Sequence, residues 1–309
     1  MKRWNGWGDE SIELEVNQDA LQFLQERIGA GTPMVDATLA QACKGITPSR
    51  LPKHSLVDTK RETRLRHSLG QSLPDWLKLR SGKVGTVTDG VAFPESSEQV
   101  QELLAYAKDC EASVIPMGGG TSVVGHLTVP QNHTPVLTIN LSRLSRLLNL
   151  DPESQLATFG AGVLGPDLEA QLRAQGYTLG HFPQSFEYST LGGWVVTRSS
   201  GQQSLRYGRI EQLFAGGRVE TPTGTLTVPT FPASAAGTDL REMVLGSEGR
   251  LGILTEATVR ITPCPSAKSF TPFSSPPGSR HRVPCAPSPR PSWACPCCAC
   301  PTPWKPLRR

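Results

Sequence analysis

The sequence lacks the long apolar runs that a membrane-crossing chain needs. No stretch approaches the roughly 18 consecutive apolar residues of a spanning helix. Lys2 and Arg3 imitate the start of a signal peptide, but no apolar run follows them. Cysteine is scarce where a core could form: between residues 1 and 263 only Cys43 and Cys110 occur. That is too few for a disulfide framework and fits a reducing compartment. A basic stripe is missing as well. The formal charge of +4 comes from residues 264–309, which hold seven Lys and Arg and no acid. Without them, 24 basic residues face 27 acidic ones, which argues against a nucleic-acid partner. The expected body is a soluble, cytoplasmic protein without a transmembrane segment.

Residues 264–309 also contain twelve prolines and six cysteines, with no apolar periodicity. Such a stretch cannot bury enough surface to offset its ordering entropy, and a disordered tail is expected. Cys295, Cys297, Cys298 and Cys300 contain two overlapping C-x-x-C spacings. Four thiols within six residues make a poor cage, because structural zinc draws on separated pairs, so no metal is expected.

The stretch that organises the rest is the loop 116–125, PMGGGTSVVG. Successive N–H groups in a glycine turn converge on an anion, and hydroxyls at the rim add donors. Candidate cofactor ligands here are Pro116, Met117, Gly118, Gly119, Gly120, Thr121 and Ser122. The loop lacks the Lys-Ser/Thr ending of a P-loop and the last glycine of G-x-G-x-x-G. On these residues alone it reads equally as a turn between two elements. Ser96 and Gln99 can form a capping box for a helix with Val100, Leu103, Leu104 and Ala107 on one face. A short buried strand over 112–117 would then deliver the loop.

Further elements follow the same logic. The spacing of Leu21, Leu24 and Ile28 predicts a helix over 19–28, and the charged run 60–67 reads as a solvated helix face, with phosphate binding as the alternative. The aromatic cluster Trp4-Asn5-Gly6-Trp7-Gly8 reads as a loose terminus or, alternatively, as a clamp onto another surface, and the terminus is the reading taken. A strand is expected over 136–141. Hairpins are expected over 146–159 and 218–228, and a helix is expected to open at Gly165-Pro166 and stop at Gly176. Thr238 is expected to cap a helix over 239–245. The strand over 252–262 would place Ile253, Thr255, Ala257, Val259 and Ile261 on one face. Strand–helix–strand units mixed with hairpins give an α+β or α/β domain over 84–263, after an N-terminal extension over 1–83.

Three more stretches repeat the loop's chemistry. QSFEYSTLGG offers Gln184, Ser185, Phe186, Glu187, Tyr188, Ser189 and Thr190 ahead of Gly192 and Gly193. TRSSG offers Thr197, Arg198, Ser199 and Ser200. GSEGRLG offers Gly246, Ser247, Glu248, Gly249, Arg250, Leu251 and Gly252, with Glu248 suited to ribose hydroxyls and Arg250 to phosphate. Four such turns suggest one long ligand bearing hydroxyls and phosphates. His126 reads as structural, and His181 in GHFPQS reads as a structural histidine or one facing the cofactor.

Residues 84–263 resemble the FAD-binding domain of the vanillyl-alcohol-oxidase (PCMH-type) superfamily. PMGGGTS, FEYSTLGGWVVTRSSG, YGRIEQL, MVLGSEGRLGILTEATVRI and WNGWG are similar to its alkyldihydroxyacetonephosphate synthase branch. The resemblance implies an α+β fold whose FAD domain consists of two α/β subdomains. It places the diphosphate at 116–122, the flavin and its stem along 184–190 and 197–200, and the nucleotide under 246–252. Thr121 stands where relatives with covalent flavin often carry a histidine, so noncovalent FAD is expected. The implied chemistry exchanges the acyl chain of acyl-dihydroxyacetone phosphate for a fatty alcohol. The family's catalytic histidines and tyrosine belong to a cap that follows the FAD domain. Residues 264–309 offer His281 and no tyrosine, so no catalytic residue is assigned. A lipid-phosphate substrate and a homodimer stand open as further partners. The alternatives are an FAD-linked dehydrogenase of a small 2-hydroxy acid and an inactive flavin-binding remnant.

Overall fold

The computed structural model describes residues 2–13, 15–32, 35–131, 133–232 and 234–264. The expected tail disorder and the cysteine cluster at 295–300 lie outside these residues, apart from Cys264. Two sheets organise the unit Met1–Cys264. The first contains β1 (Val57–Asp58), β2 (Gly90–Ala92), β3 (Ser113–Met117) and β4 (Val136–Asn140), in the order β1-β2-β4-β3. Strands β2 and β3 run parallel to β4, while β1 pairs antiparallel with β2. All five residues of β4 are buried, as the uninterrupted run VLTIN requires of a central strand.

The helix Ser97–Asp109 makes the crossover from β2 to β3, and Val100, Leu103, Leu104 and Ala107 are buried in one core with Leu137 and Ile139. Burial of each such leucine contributes roughly 1.5–3 kcal/mol. The expected capping box is half formed. Ser96 accepts from the Gln99 N–H at 3.3 Å, but the Gln99 side chain accepts from the Glu95 N–H, one residue earlier. Strand β3 is not the buried strand expected: four of its five residues are half-buried, because it lies at the sheet's edge.

The second sheet is antiparallel throughout. It draws on β5 (Leu147–Asp151), β6 (Leu156–Gly160), β8 (Phe214–Thr221), β9 (Gly224–Val228) and β10 (Ile253–Arg260), in the order β5-β6-β10-β8-β9. The short β7 (Tyr177–Thr178) and β11 (Thr262–Pro263) pair separately. Both expected hairpins are present as β5–β6 and β8–β9. Strand β10 departs from the expected one-sided alternation. Leu254 and Thr258 are buried along with Ile253, Thr255, Ala257 and Val259. The reason is its central position: Leu254, Ala257 and Val259 join the second core, Ile253 joins the first, and Thr255 accepts from Ser97 at 2.9 Å. The helix Gly165–Arg173 sends Leu168 and Leu172 into the second core. The helix Leu240–Val244 is capped by Asp239 rather than Thr238, since the Asp239 carboxylate accepts from the Arg241 N–H.

The N-terminal extension holds the helices Gln18–Ile28, Leu39–Lys44, Arg61–Arg66 and Leu73–Ser81. Residues Ala42, Ile46, Leu65, Leu69, Leu79, Val84 and Val87 form a third core. The helix Gln18–Ile28 has no buried residue, so the stripe of Leu21, Leu24 and Ile28 stays uncovered among the described residues. The charged run proves to be more than a solvated face. Arg64 is 1% exposed and donates to the Thr88 carbonyl at 2.6 Å and to the Thr47 carbonyl at 2.8 Å. A buried guanidinium is tolerable only where its donors are met, and here backbone oxygens meet them.

Candidate cofactor-binding cleft

The site starts where β3 ends. Strand β3 delivers the glycine loop against the segment 184–193, and the two backbones cross almost in contact. A Cβ on Gly119 would lie 1.6 Å from the Tyr188 carbonyl oxygen, and one on Gly118 would lie 2.2 Å from the Thr190 hydroxyl. Only glycine lets this crossing form. Gly120 then turns the chain away with φ +66°.

Two compartments flank the crossing and share Gly118, Gly119, Gly120 and Thr190 as a common wall. The first, about 410 Å³, is lined by Pro116, Thr121, Ser122, Ser185, Ser189, Gly193, Thr197, Ser199 and Glu248, and by His126 and Trp194. The second, about 430 Å³, is lined by Met117, Glu187 and Tyr188, with Lys2, Arg66, His67 and Asn140 opposite. A larger cavity of about 840 Å³, near Ser96 and Arg218, contains none of the predicted site residues.

Hydrogen bonds fix the hydroxyl rim. Trp194 donates to the Ser189 hydroxyl at 2.7 Å, Ser189 donates to the Ser185 carbonyl, and Thr190 caps the helix Leu191–Val196 by accepting from Gly193. His181 is buried, its ring 5.1 Å from that of Trp194, and its Nε2 lies 2.8 Å from the Ser199 hydroxyl. Its Nδ1 has no hydrogen-bond partner among the described residues. Burial pushes its pKa down to about 4. It therefore stands behind the rim, and Ser199 faces the cleft. His126 Nε2 lies 2.8 Å from the Glu248 carboxylate, so that carboxylate is already held by a side chain. Gly249 brings its turn against Pro116, where an added Cβ would meet the ring at 2.4 Å.

The FAD binding domain family matches residues 88–228. The chain is 41% identical to alkyldihydroxyacetonephosphate synthase of Dictyostelium discoideum over 213 residues, 69% of this chain and 35% of that protein. The Trypanosoma brucei brucei enzyme of the same name is 33% identical over 302 residues, 87% of this chain and 49% of that one. A solved structure of alkyldihydroxyacetonephosphate synthase superposes with a TM-score of 0.74 at 31% identity, covering 86% of this chain and 55% of the other. Residues 88–228 are therefore an FAD binding domain, and the chain resembles alkyldihydroxyacetonephosphate synthases over most of its own length. Its cofactor is FAD. Matches to a D-lactate dehydrogenase and a glycolate oxidase subunit are shorter, each covering 59% of this chain, and do not favour a 2-hydroxy-acid dehydrogenase. The chain spans about a third to a half of the length of the curated relatives it matches.

The cleft of this flavoprotein suits a dinucleotide on structural grounds: a glycine crossing free of side chains stands between two compartments, with hydroxyls around one of them. Several predicted residues line neither compartment. Phe186 stacks on Trp194 with ring centroids 6.2 Å apart, and Gly192 packs against Ala161. Arg198 spends its guanidinium on Glu242 and Glu211. Gln184, Ser200 and Arg250 are exposed, and Gly246, Ser247, Leu251 and Gly252 shape the turn around Glu248. The structure adds Lys2 and Asn140 to the cleft, and brings to it Arg66 and His67 from the charged run whose alternative reading is phosphate binding. It also overturns the loose terminus. The backbones of Lys2 and Asp9 form an isolated antiparallel bridge, the Arg3 N–H bonds the Gly8 carbonyl, and the Trp7 ring stands edge-on to Tyr188 at 5.2 Å. The only sequence signal for this was WNGWG itself.

Proposed function

We propose that this chain holds FAD noncovalently, with the diphosphate at the glycine crossing and the two halves of the dinucleotide in the compartments on either side. The observation that carries this reading is the shared wall of Gly118, Gly119, Gly120 and Thr190. No histidine stands in the loop, and His126 beyond it is engaged with Glu248. In this reading Ser185, Ser189, Thr190, Thr197 and Ser199 offer hydroxyls to the phosphates and the flavin stem, and the Trp194 and His181 bonds hold two of those hydroxyls in place. When bound, FAD supplies the isoalloxazine chemistry, and the protein positions it and shields it from water.

By its similarity to alkyldihydroxyacetonephosphate synthases, the activity proposed is the flavin-dependent exchange of an ester-linked acyl chain for a fatty alcohol on a lipid phosphate. Residues 84–263 form the cofactor unit and 1–83 an extension that closes over it. A homodimer is proposed as the assembly. A cytoplasmic setting accords with Cys43 and Cys110 as free thiols. No helix among the described residues is long and apolar enough to cross a membrane. The test is an absorption spectrum of the purified chain from about 300 to 550 nm, before and after acid precipitation. Flavin bands that pass into the supernatant support noncovalent FAD. A colourless chain that takes up no added FAD overturns the reading.

A further inference from the structure

The glycine loop has no cation of its own, since residues 116–125 contain neither Lys nor Arg. Most basic groups around the second compartment are already committed. Arg66 pairs with Glu10 and Glu62, and Arg3 donates to the carbonyls of Asp9 and Ile12. Lys2 is different. Its ammonium makes a single bond among the described residues, to the Gly119 carbonyl at 2.5 Å, and no ion pair. An ammonium has three donors, so two remain unspent. Lys2 also lines the second compartment, and a Cβ on Gly120 would stand 3.5 Å from its Nζ. Burial without a counter-charge pushes its pKa down to about 8. Such a charge is costly to hold, and an anion beside it removes the cost.

We propose that Lys2 is a cofactor-binding residue whose ammonium supplies the counter-charge to the FAD diphosphate, and that the segment 2–9 is a strap closing one wall of the site. This rests on FAD lying at the glycine crossing. The cation that a P-loop carries within its own sequence is here delivered from 117 residues away. The Gly119 carbonyl aims it, and Trp7 on Tyr188 pins the strap. A compact ammonium binds a phosphate oxygen as a point charge.

The test titrates the full chain with FAD and follows the quenching of flavin fluorescence. Lys2→Met is expected to weaken FAD binding by about 10- to 100-fold and to flatten its salt dependence, while Lys2→Arg retains most of the affinity. The melting temperature of the FAD-free Lys2→Met chain is expected to match that of the wild type. Wild-type affinity and salt dependence in Lys2→Met overturn the inference. A second measurement needs no variant: acetylation of Lys2 by acetic anhydride, read by mass spectrometry, is expected to slow on saturation with FAD. The exposed Lys53 and Lys83 serve as references. Unchanged Lys2 acetylation in a chain that does bind FAD overturns the role of Lys2 and leaves the cofactor reading standing. A wild-type chain that takes up no FAD overturns both.

Discussion

At Gly119 an added Cβ would lie 1.6 Å from the Tyr188 carbonyl oxygen, with the Tyr188 carbonyl carbon at 2.7 Å and the Ser189 Cα at 3.0 Å. All three are backbone atoms, so no rotamer change can relieve the contact. Gly119→Val is expected to cost about 3 kcal/mol in urea unfolding, the upper end of overpacking, and to abolish flavin uptake. A variant that keeps its yellow colour and wild-type stability would show that the two loops need not cross this tightly. His181 allows a prediction with a definite sign. Its ordinary pKa applies in the unfolded chain and about 4 in the folded one. The unfolded chain therefore binds more protons across that interval, and stability falls as pH drops from 6.5 toward 4. From this residue alone the loss is about 2 kcal/mol at pH 5 relative to pH 8. His67, also lowered by burial, adds to the same trend. Urea unfolding of the wild type and His181→Gln at the two pH values checks it: the variant should lose less stability on acidification.

The helix Arg61–Arg66 shows how one element can carry two kinds of arginine. Arg61 is exposed, whereas Arg64 meets two backbone carbonyls from inside the third core. Arg64→Leu strands both acceptors at about 1–3 kcal/mol each, while Arg61→Leu should stay within about 0.5 kcal/mol. Equal losses in thermal melting would refute that division. The same element marks a limit of sequence reading. Alternating charge says that a helix forms but not that one of its turns faces inward. Local periodicity was legible: Val100, Leu103, Leu104 and Ala107 are buried as their spacing requires, and both hairpins form where the turn residues stand. The convergence of the four glycine- and hydroxyl-rich stretches was legible too, because each of them lines one cleft, the last through Glu248. What was not legible depends on distance in sequence. Nothing around Lys2 announces a carbonyl at Gly119, and nothing around Trp7 announces Tyr188.

At the scale of the whole molecule, the cleft joins parts of the chain that share no core. The strap carries Lys2, the first sheet delivers Met117–Gly120, and residues 185–199 and 248 come from around the second sheet. A ligand spanning both compartments touches all of these at once and binds the folded chain but not the unfolded one. Mass action then stabilises the fold by about 2.7 kcal/mol at free FAD about 100 times its Kd. For a unit of this size the melting temperature should rise by about 5–10 °C. ADP and riboflavin, each reaching one compartment, should give smaller shifts at equal concentration, and the two together should fall short of FAD because they lack the linkage through the crossing. Gly119→Val should show no shift with any of them. Differential scanning fluorimetry across these ligands separates the arrangements. A full FAD-sized shift from ADP alone would place the nucleotide in one compartment, leave the other without a ligand, and undo the reading of the glycine crossing as the midpoint of a dinucleotide.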